Sequence, residues 1–152
     1  MRTLLVGERE LYPCPVELDA LGPEAWIIKD MRINLPEVGL LRLQKLGLRW
    51  DATLNLNKPA LTSTAWDSEF ASAVADLSMC EADVFILMGQ RVCEAYGMSY
   101  KDTDLGLLWH NEFIIVPHPL RHDNLWCDLE GQKAVRARVE WAFRKAIECL
   151  ER

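Results

Sequence analysis

Two runs in this 152-residue chain, VFILM at 84–88 and FIIV at 113–116, are apolar at every position. A strand with one face in water alternates apolar and polar residues. A parallel strand covered by helices on both faces is apolar throughout. These runs therefore restrict the chain to a fold whose central sheet is buried on both sides. Shorter apolar runs at 3–6 and 52–56 complete a set of four expected strands. No internal repeat, low-complexity tract or Gly/Ser linker interrupts them, so residues 1–152 read as a single domain.

Helical patterns fill the intervals. The segment PEVGLLRLQKLG places Pro36 at a helix start and Gly47 at a helix end. A second helix is expected with Thr64 as its cap, Asp67 three residues on, and Trp66, Phe70, Ala73, Val74 and Leu77 as its apolar stripe. A short helix, QRVCEAYG, closes on Gly97. The last helix carries Val135, Val139, Ala142, Phe143, Ala146, Ile147 and Leu150 at helical spacing, opposite a basic face of Arg136, Arg138, Arg144 and Lys145. Such a face ordinarily lies in solvent. The alternation β–α–β–α–β–α–β–α predicts an α/β fold with a central, mostly parallel four-stranded sheet between helices.

In such sheets ligands bind at the carboxyl ends of the strands. The residues expected there are Gly7-Glu8, Asn55-Leu56-Asn57-Lys58-Pro59, Gly89-Gln90-Arg91 and Pro117-His118-Pro119. All four strand ends carry polar or conformationally special residues, which points to one site. Two prolines confine His118 to an extended conformation and pre-organise its imidazole as a donor to a developing anion. Asn55 and Asn57 are two residues apart, so their side chains share one side of an extended chain, and an amide can read a planar amide edge such as a pyrimidine's. Glu8 is placed to orient water as a base. Tyr12 is a candidate for stacking on a flat ligand, while Cys14 beside it reads as a structural thiol.

Composition narrows the class of partner. Half of the residues are hydrophobic, and 17 Lys+Arg stand against 23 Asp+Glu, for a net charge of −6. That excludes a basic nucleic-acid coat protein, whose binding needs an excess of cations, and leaves room for an acidic-surface contact with a protein partner. The five cysteines (Cys14, Cys80, Cys93, Cys127, Cys149) form no C-x-x-C pair, and His110, His118 and His122 have no ligand spacing. Neither a metal site nor a cofactor is therefore expected. No signal-peptide core or 18-residue apolar run is present, so a reduced, cytoplasmic setting without membrane contact is the expectation.

The segments LLVGE-x2-LYPCP, RLQKLGL, LNLNKP, AWDSEFASAVADL, VFILMGQRVCEAYG and IIVPHPLRHDNLWCD, in that order, resemble the uracil-DNA glycosylase superfamily, closest to its compact phage- and prophage-associated members. The resemblance implies a three-layer α/β/α sandwich that extrudes a pyrimidine base from DNA, grips it and hydrolyses its N-glycosidic bond. By position it implies that Gly7 and Glu8 hold the attacking water and Tyr12 stacks on the base. It further implies that Asn55 or Asn57 reads the base and His118 stabilises the departing base anion. The loop carrying Arg121, His122 and Asn124 would meet DNA. Where the family's second motif reads His-Pro-Ser-Gly and then Arg-Asn, this chain has Leu120 and Arg121 followed by His122-Asp123. Its first motif continues Arg9-Glu10-Leu11 in place of small residues and proline. Two other classes share the pocket: a transferase of the same fold that modifies unusual bases in phage DNA, and a non-catalytic module that binds a nucleobase, DNA or a protein.

Overall fold

A computed structural model describes residues 1–8, 37–57 and 66–152. The expected strands are present as β1 (Thr3–Gly7), β2 (Ala52–Asn55), β3 (Val84–Met88) and β5 (Phe113–Val116), all buried along their length. The sheet has five strands, not four, in the order β2-β1-β3-β5-β4. The additional strand, β4 (Leu108–Trp109), pairs antiparallel with β5 and makes the sheet mixed. It is two residues long, too short for a periodicity to register. Its connection to β5 is a tight turn in which His110 and Asn111 both take positive φ, 50° and 60°, while the Glu112 N–H donates to the Trp109 carbonyl at 2.9 Å. The pairing of Trp109 with Phe113 leaves a three-residue connection, 110–112, whose first two residues take the left-handed φ without a glycine.

Among the described residues four helices accompany the sheet: α1 (Glu37–Lys45), α2 (Ser68–Ser78), α3 (Gln90–Ala95) and α4 (Leu129–Leu150). Helix α1 ends as expected at Gly47, whose φ is +76°. The Gly47 N–H donates to Gln44 and the Leu48 N–H to Leu43, so two carbonyls of the last turn are satisfied. Gly97, with φ +73°, closes α3 through the same pair of bonds, to Glu94 and Cys93. No described helix is long and apolar enough to cross a membrane.

Two helix expectations are corrected. The α2 cap is Asp67, whose carboxylate accepts the Phe70 N–H at 3.0 Å; Thr64 and Pro36 lie outside the described residues. The fully buried residues of α2 are Ala71, Val74, Ala75 and Ser78; of the expected stripe Val74 is among them, and Trp66 and Phe70 are partly buried and pack against the core. Small residues let α2 approach α3 closely, and the Ser78 hydroxyl meets the Tyr96 hydroxyl at 2.7 Å. In α4 the expected core positions from Val135 to Ala146 are buried, while Leu150 is exposed. Arg138 leaves the basic face and donates to the Leu105 carbonyl at 3.0 Å.

Strand β1 pairs with β2 on one side and β3 on the other, both parallel. The chain therefore moves outward from β1 to β2, then crosses back to β3 and onward. Connections on either side of such a reversal pass over opposite faces when the crossovers keep their usual right hand. A crevice opens at the carboxyl ends of the two strands that flank it. In this protein those strands are β1 and β3, which end at Gly7-Glu8 and at Gly89.

Burial also fixes the ionisation of the core under α2 and α3. It pushes the Cys93 thiol up from 9.0 to about 12 and raises the Tyr96 phenol above its ordinary range. As pH rises past about 9, the unfolded chain releases these protons while the folded chain keeps them, so the unfolded state gains free energy. Stability should therefore be flat near neutrality and fall with pH above about 9; urea midpoints recorded across that range would check this. Asp67→Ala should lower stability by about 0.5–2 kcal/mol. A midpoint unchanged by that substitution would transfer the cap elsewhere.

Candidate functional site

The carboxyl ends of β1, β2, β3 and β5 bring together Gly7, Glu8, Asn55, Asn57, Gly89 and His118. Glu8, Asn55, Asn57 and His118 are the buried polar side chains of this end of the sheet. Their positions follow from register. Gly7 stands opposite Asn55, and the Leu56 N–H continues the ladder by donating to the Gly7 carbonyl at 3.1 Å.

Glu8 is only 3% exposed, so its carboxylate is carried almost wholly out of water. Among the described residues two guanidinium groups face it. Arg121 Nη2 donates to Glu8 Oε2 at 2.8 Å, and Arg91 Nη1 lies 3.8 Å from the same oxygen. Arg91 belongs to α3, immediately after β3, so its pairing with Glu8 spans the point where the sheet order reverses. The Arg91 guanidinium also lies 5.9 Å above the Trp66 ring, which brings an indole beside the site. Trp66 was expected only as part of a helix stripe, and a tryptophan just ahead of a cap gives no sequence signal for this place.

The His118 loop is pinned from several sides. The Leu120 N–H donates to His118 Nδ1 at 3.1 Å. An imidazole whose Nδ1 accepts a hydrogen bond is neutral and carries its proton on Nε2, so this geometry makes Nε2 a donor. The ring is 4% exposed and Nε2 is shielded from solvent. The His118 carbonyl accepts from the Arg121 N–H at 3.3 Å and from Trp126 Nε1 at 3.4 Å. Arg42 of α1 donates to the Pro119 carbonyl at 2.8 Å and lies 5.6 Å over the Trp126 ring. Gly89, at φ +88°, backs the imidazole: a Cβ there would stand 3.5 Å from His118 Cβ.

The two asparagines are not equivalent. Asn57 Oδ1 accepts the Asp67 N–H at 3.0 Å, tying the segment after β2 to the start of α2. Asn55 is the last residue of β2, beside Gly7. Arg121, expected to face DNA, is half-exposed and directed to Glu8, whereas His122 and Asn124 are exposed beyond it. Asp123 caps the short turn Asn124–Cys127 by accepting the Leu125 N–H. Tyr12, Arg9, Glu10, Cys14, Lys58 and Pro59 lie outside the described residues. Among the described residues, no group of His, Cys, Asp or Glu is arranged to hold a metal ion.

No family model, curated protein or solved structure matches this chain. The geometry therefore carries the functional argument alone. The Glu8–Arg121 pair joins β1 to the histidine loop, and its strength can be measured. A double-mutant cycle with Glu8→Gln and Arg121→Ala should give a coupling of about 0.5–3 kcal/mol in unfolding free energy. Additive single and double variants would show that the pair does not hold the loop.

Proposed function

We propose that this protein is a DNA glycosylase-like hydrolase with the three-layer sandwich of the uracil-DNA glycosylase superfamily. In this reading it takes a flipped pyrimidine base at the carboxyl ends of β1, β2, β3 and β5 and breaks the base's N-glycosidic bond. The observation that carries the proposal is His118: a buried, neutral imidazole, backed by Gly89, whose Nδ1 is occupied and whose Nε2 is thereby fixed as a donor. A base leaving as an anion concentrates charge on a carbonyl oxygen, and a pre-oriented neutral donor stabilises that charge as it forms. Water forms the new bond to the sugar carbon as the bond to the base breaks, and the water's proton passes to solvent or to the departing base. Glu8, held by Arg121, orients the water. Asn55 or Asn57 reads the base edge, and Asn57 Oδ1 also accepts the Asp67 N–H that starts α2. Tyr12 is assigned the stacking role by resemblance. His122 and Asn124, exposed past the loop, are the residues that meet the DNA strand.

The Glu8 environment also supports the non-catalytic binding module. A carboxylate engaged by one arginine and approached by a second is well suited to locking the histidine loop in place, a structural role that a binding site needs as much as an enzyme does.

Incubation with DNA carrying uracil, thymine mismatches or hydroxymethyluracil, followed by alkaline cleavage and mass spectrometry, tests the proposal. Release of free base selects the hydrolase, and a mass shift of the DNA without release selects a transferase. Base binding without chemistry selects the binding module. His118→Ala should lower base release by roughly 100-fold or more, the scale of losing one pre-organised donor, with the circular dichroism spectrum unchanged. Undiminished turnover in that variant would remove His118 from the mechanism.

A further inference from the structure

At the opposite end of the sheet, the segment between α1 and β2 meets the carboxyl-terminal half of α4. An open cavity of about 460 Å³ lies there, lined by Gly47, Arg49, Arg136, Glu140, Phe143 and Arg144. We infer that this cavity is a binding site for a dianionic phosphate group, either free phosphate or the terminal phosphate of a small phosphomonoester. The inference is independent of the strand-end residues and of the activity proposed for them.

Three arginines line one concave volume in a chain whose net charge is −6. The only carboxylate on the lining is Glu140, so the local balance of three positive charges and one negative is +2. Guanidiniums cannot shed their charge by losing a proton, so their mutual repulsion persists until an anion enters. Two of the three are already positioned. Arg136 Nε donates to Glu140 at 3.2 Å and its Nη1 to the Lys45 carbonyl at 3.3 Å, which fixes the plane of the fork and leaves further N–H groups on it. Arg49 lies 4.9 Å over the Phe143 ring, a face contact that holds the cation flat against a buried wall. Arg144, exposed on α4, has no side-chain hydrogen bond or ion pair among the described residues. Gly47, at φ +76°, lines the cavity beside Arg136, whose Cγ would stand 3.4 Å from a Cβ placed there.

The shape decides between anions. A nucleic-acid backbone carries one charge per phosphodiester, spread along a line, and suits a stripe of cations. A phosphomonoester carries about two charges on one compact group above its second ionisation near pH 6, and planar forks match its oxygens in pairs. The concave cavity with a local charge of +2 fits the second.

Isothermal titration or phosphorus NMR with inorganic phosphate, a nucleoside 5′-monophosphate and dimethyl phosphate at pH 7.5 tests the site. Inorganic phosphate or the monophosphate should bind saturably, whichever is tighter identifying the physiological form. Dimethyl phosphate, a monoanion, should bind at least about tenfold more weakly. Arg144→Gln and Arg49→Gln should each weaken phosphate binding about tenfold, while His118→Ala should leave it unchanged. Both arginine variants alter surface side chains, and circular dichroism verifies that they fold. Absence of saturable binding at millimolar phosphate would overturn the inference. So would arginine variants that bind like the wild type, or dimethyl phosphate or duplex DNA binding as tightly as the dianion.

Discussion

A carboxylate carried out of water at the end of a central parallel strand must be neutralised where it stands, and that requirement organises the site end of this molecule. Desolvating an ion costs several kcal/mol unless a partner of opposite charge and good geometry is supplied. Glu8 has Arg121 at 2.8 Å and Arg91 at 3.8 Å, from two segments that are remote in sequence. Each arginine belongs to an element that begins where a neighbouring strand ends, α3 after β3 and the histidine loop after β5. Satisfying Glu8 thus fixes how both segments leave the sheet.

The consequence for His118 is direct. Arg121 and His118 share a short loop in which the Arg121 N–H donates to the His118 carbonyl, so the ion pair to Glu8 and the orientation of the imidazole are mechanically linked. Arg42 and Trp126 hold the same loop from α1 and from the turn before α4. A loop of residues 117–123 with this many restraints is held close to one conformation, and a donor that need not reorganise is worth more than a mobile one. The substitution of Leu120-Arg121 for the small residues of the resembling motif has a physical account on these terms. Arg121 reaches back to Glu8, and Leu120 lies against Gly39, where a Cβ would come within 2.9 Å of its side chain.

The legible part of the fold was the part governed by composition at successive positions. VFILM and FIIV announce buried parallel strands because no residue in them suits water, and Gly47 and Gly97 announce helix ends because their left-handed φ favours glycine. Strand β4 was not legible, since two residues and a turn built from His110-Asn111 offer neither a period nor a glycine. The face of α2 was legible in part: Val74 is buried and Trp66 and Phe70 pack against the core as the helical spacing implied, but the small residues Ala71, Ala75 and Ser78 gave no apolar signal for their burial. At the site, sequence brought Glu8, Asn55, Asn57 and His118 to the same set of strand ends. It assigned Arg121 to DNA and not to Glu8, because a partner 113 residues away leaves no local trace.

Charge gives these observations a common consequence. Several arginines of this acidic chain are committed to internal partners: Arg121 and Arg91 to Glu8, Arg42 to the Pro119 carbonyl, and Arg138 to the Leu105 carbonyl. Glu8 cancels one of the two positive charges beside it and a carbonyl cancels none, so the long-range field is set by the net charge of −6, which does not draw duplex DNA toward the surface nonspecifically. If a base enters at the strand ends, its retention rests on contacts inside the crevice, the amide of Asn55 or Asn57 and the Nε2 donor of His118, more than on counterion release along a backbone. Recognition built this way favours a substrate whose base is already unpaired or weakly stacked, because little backbone attraction is available to offset the work of extruding it.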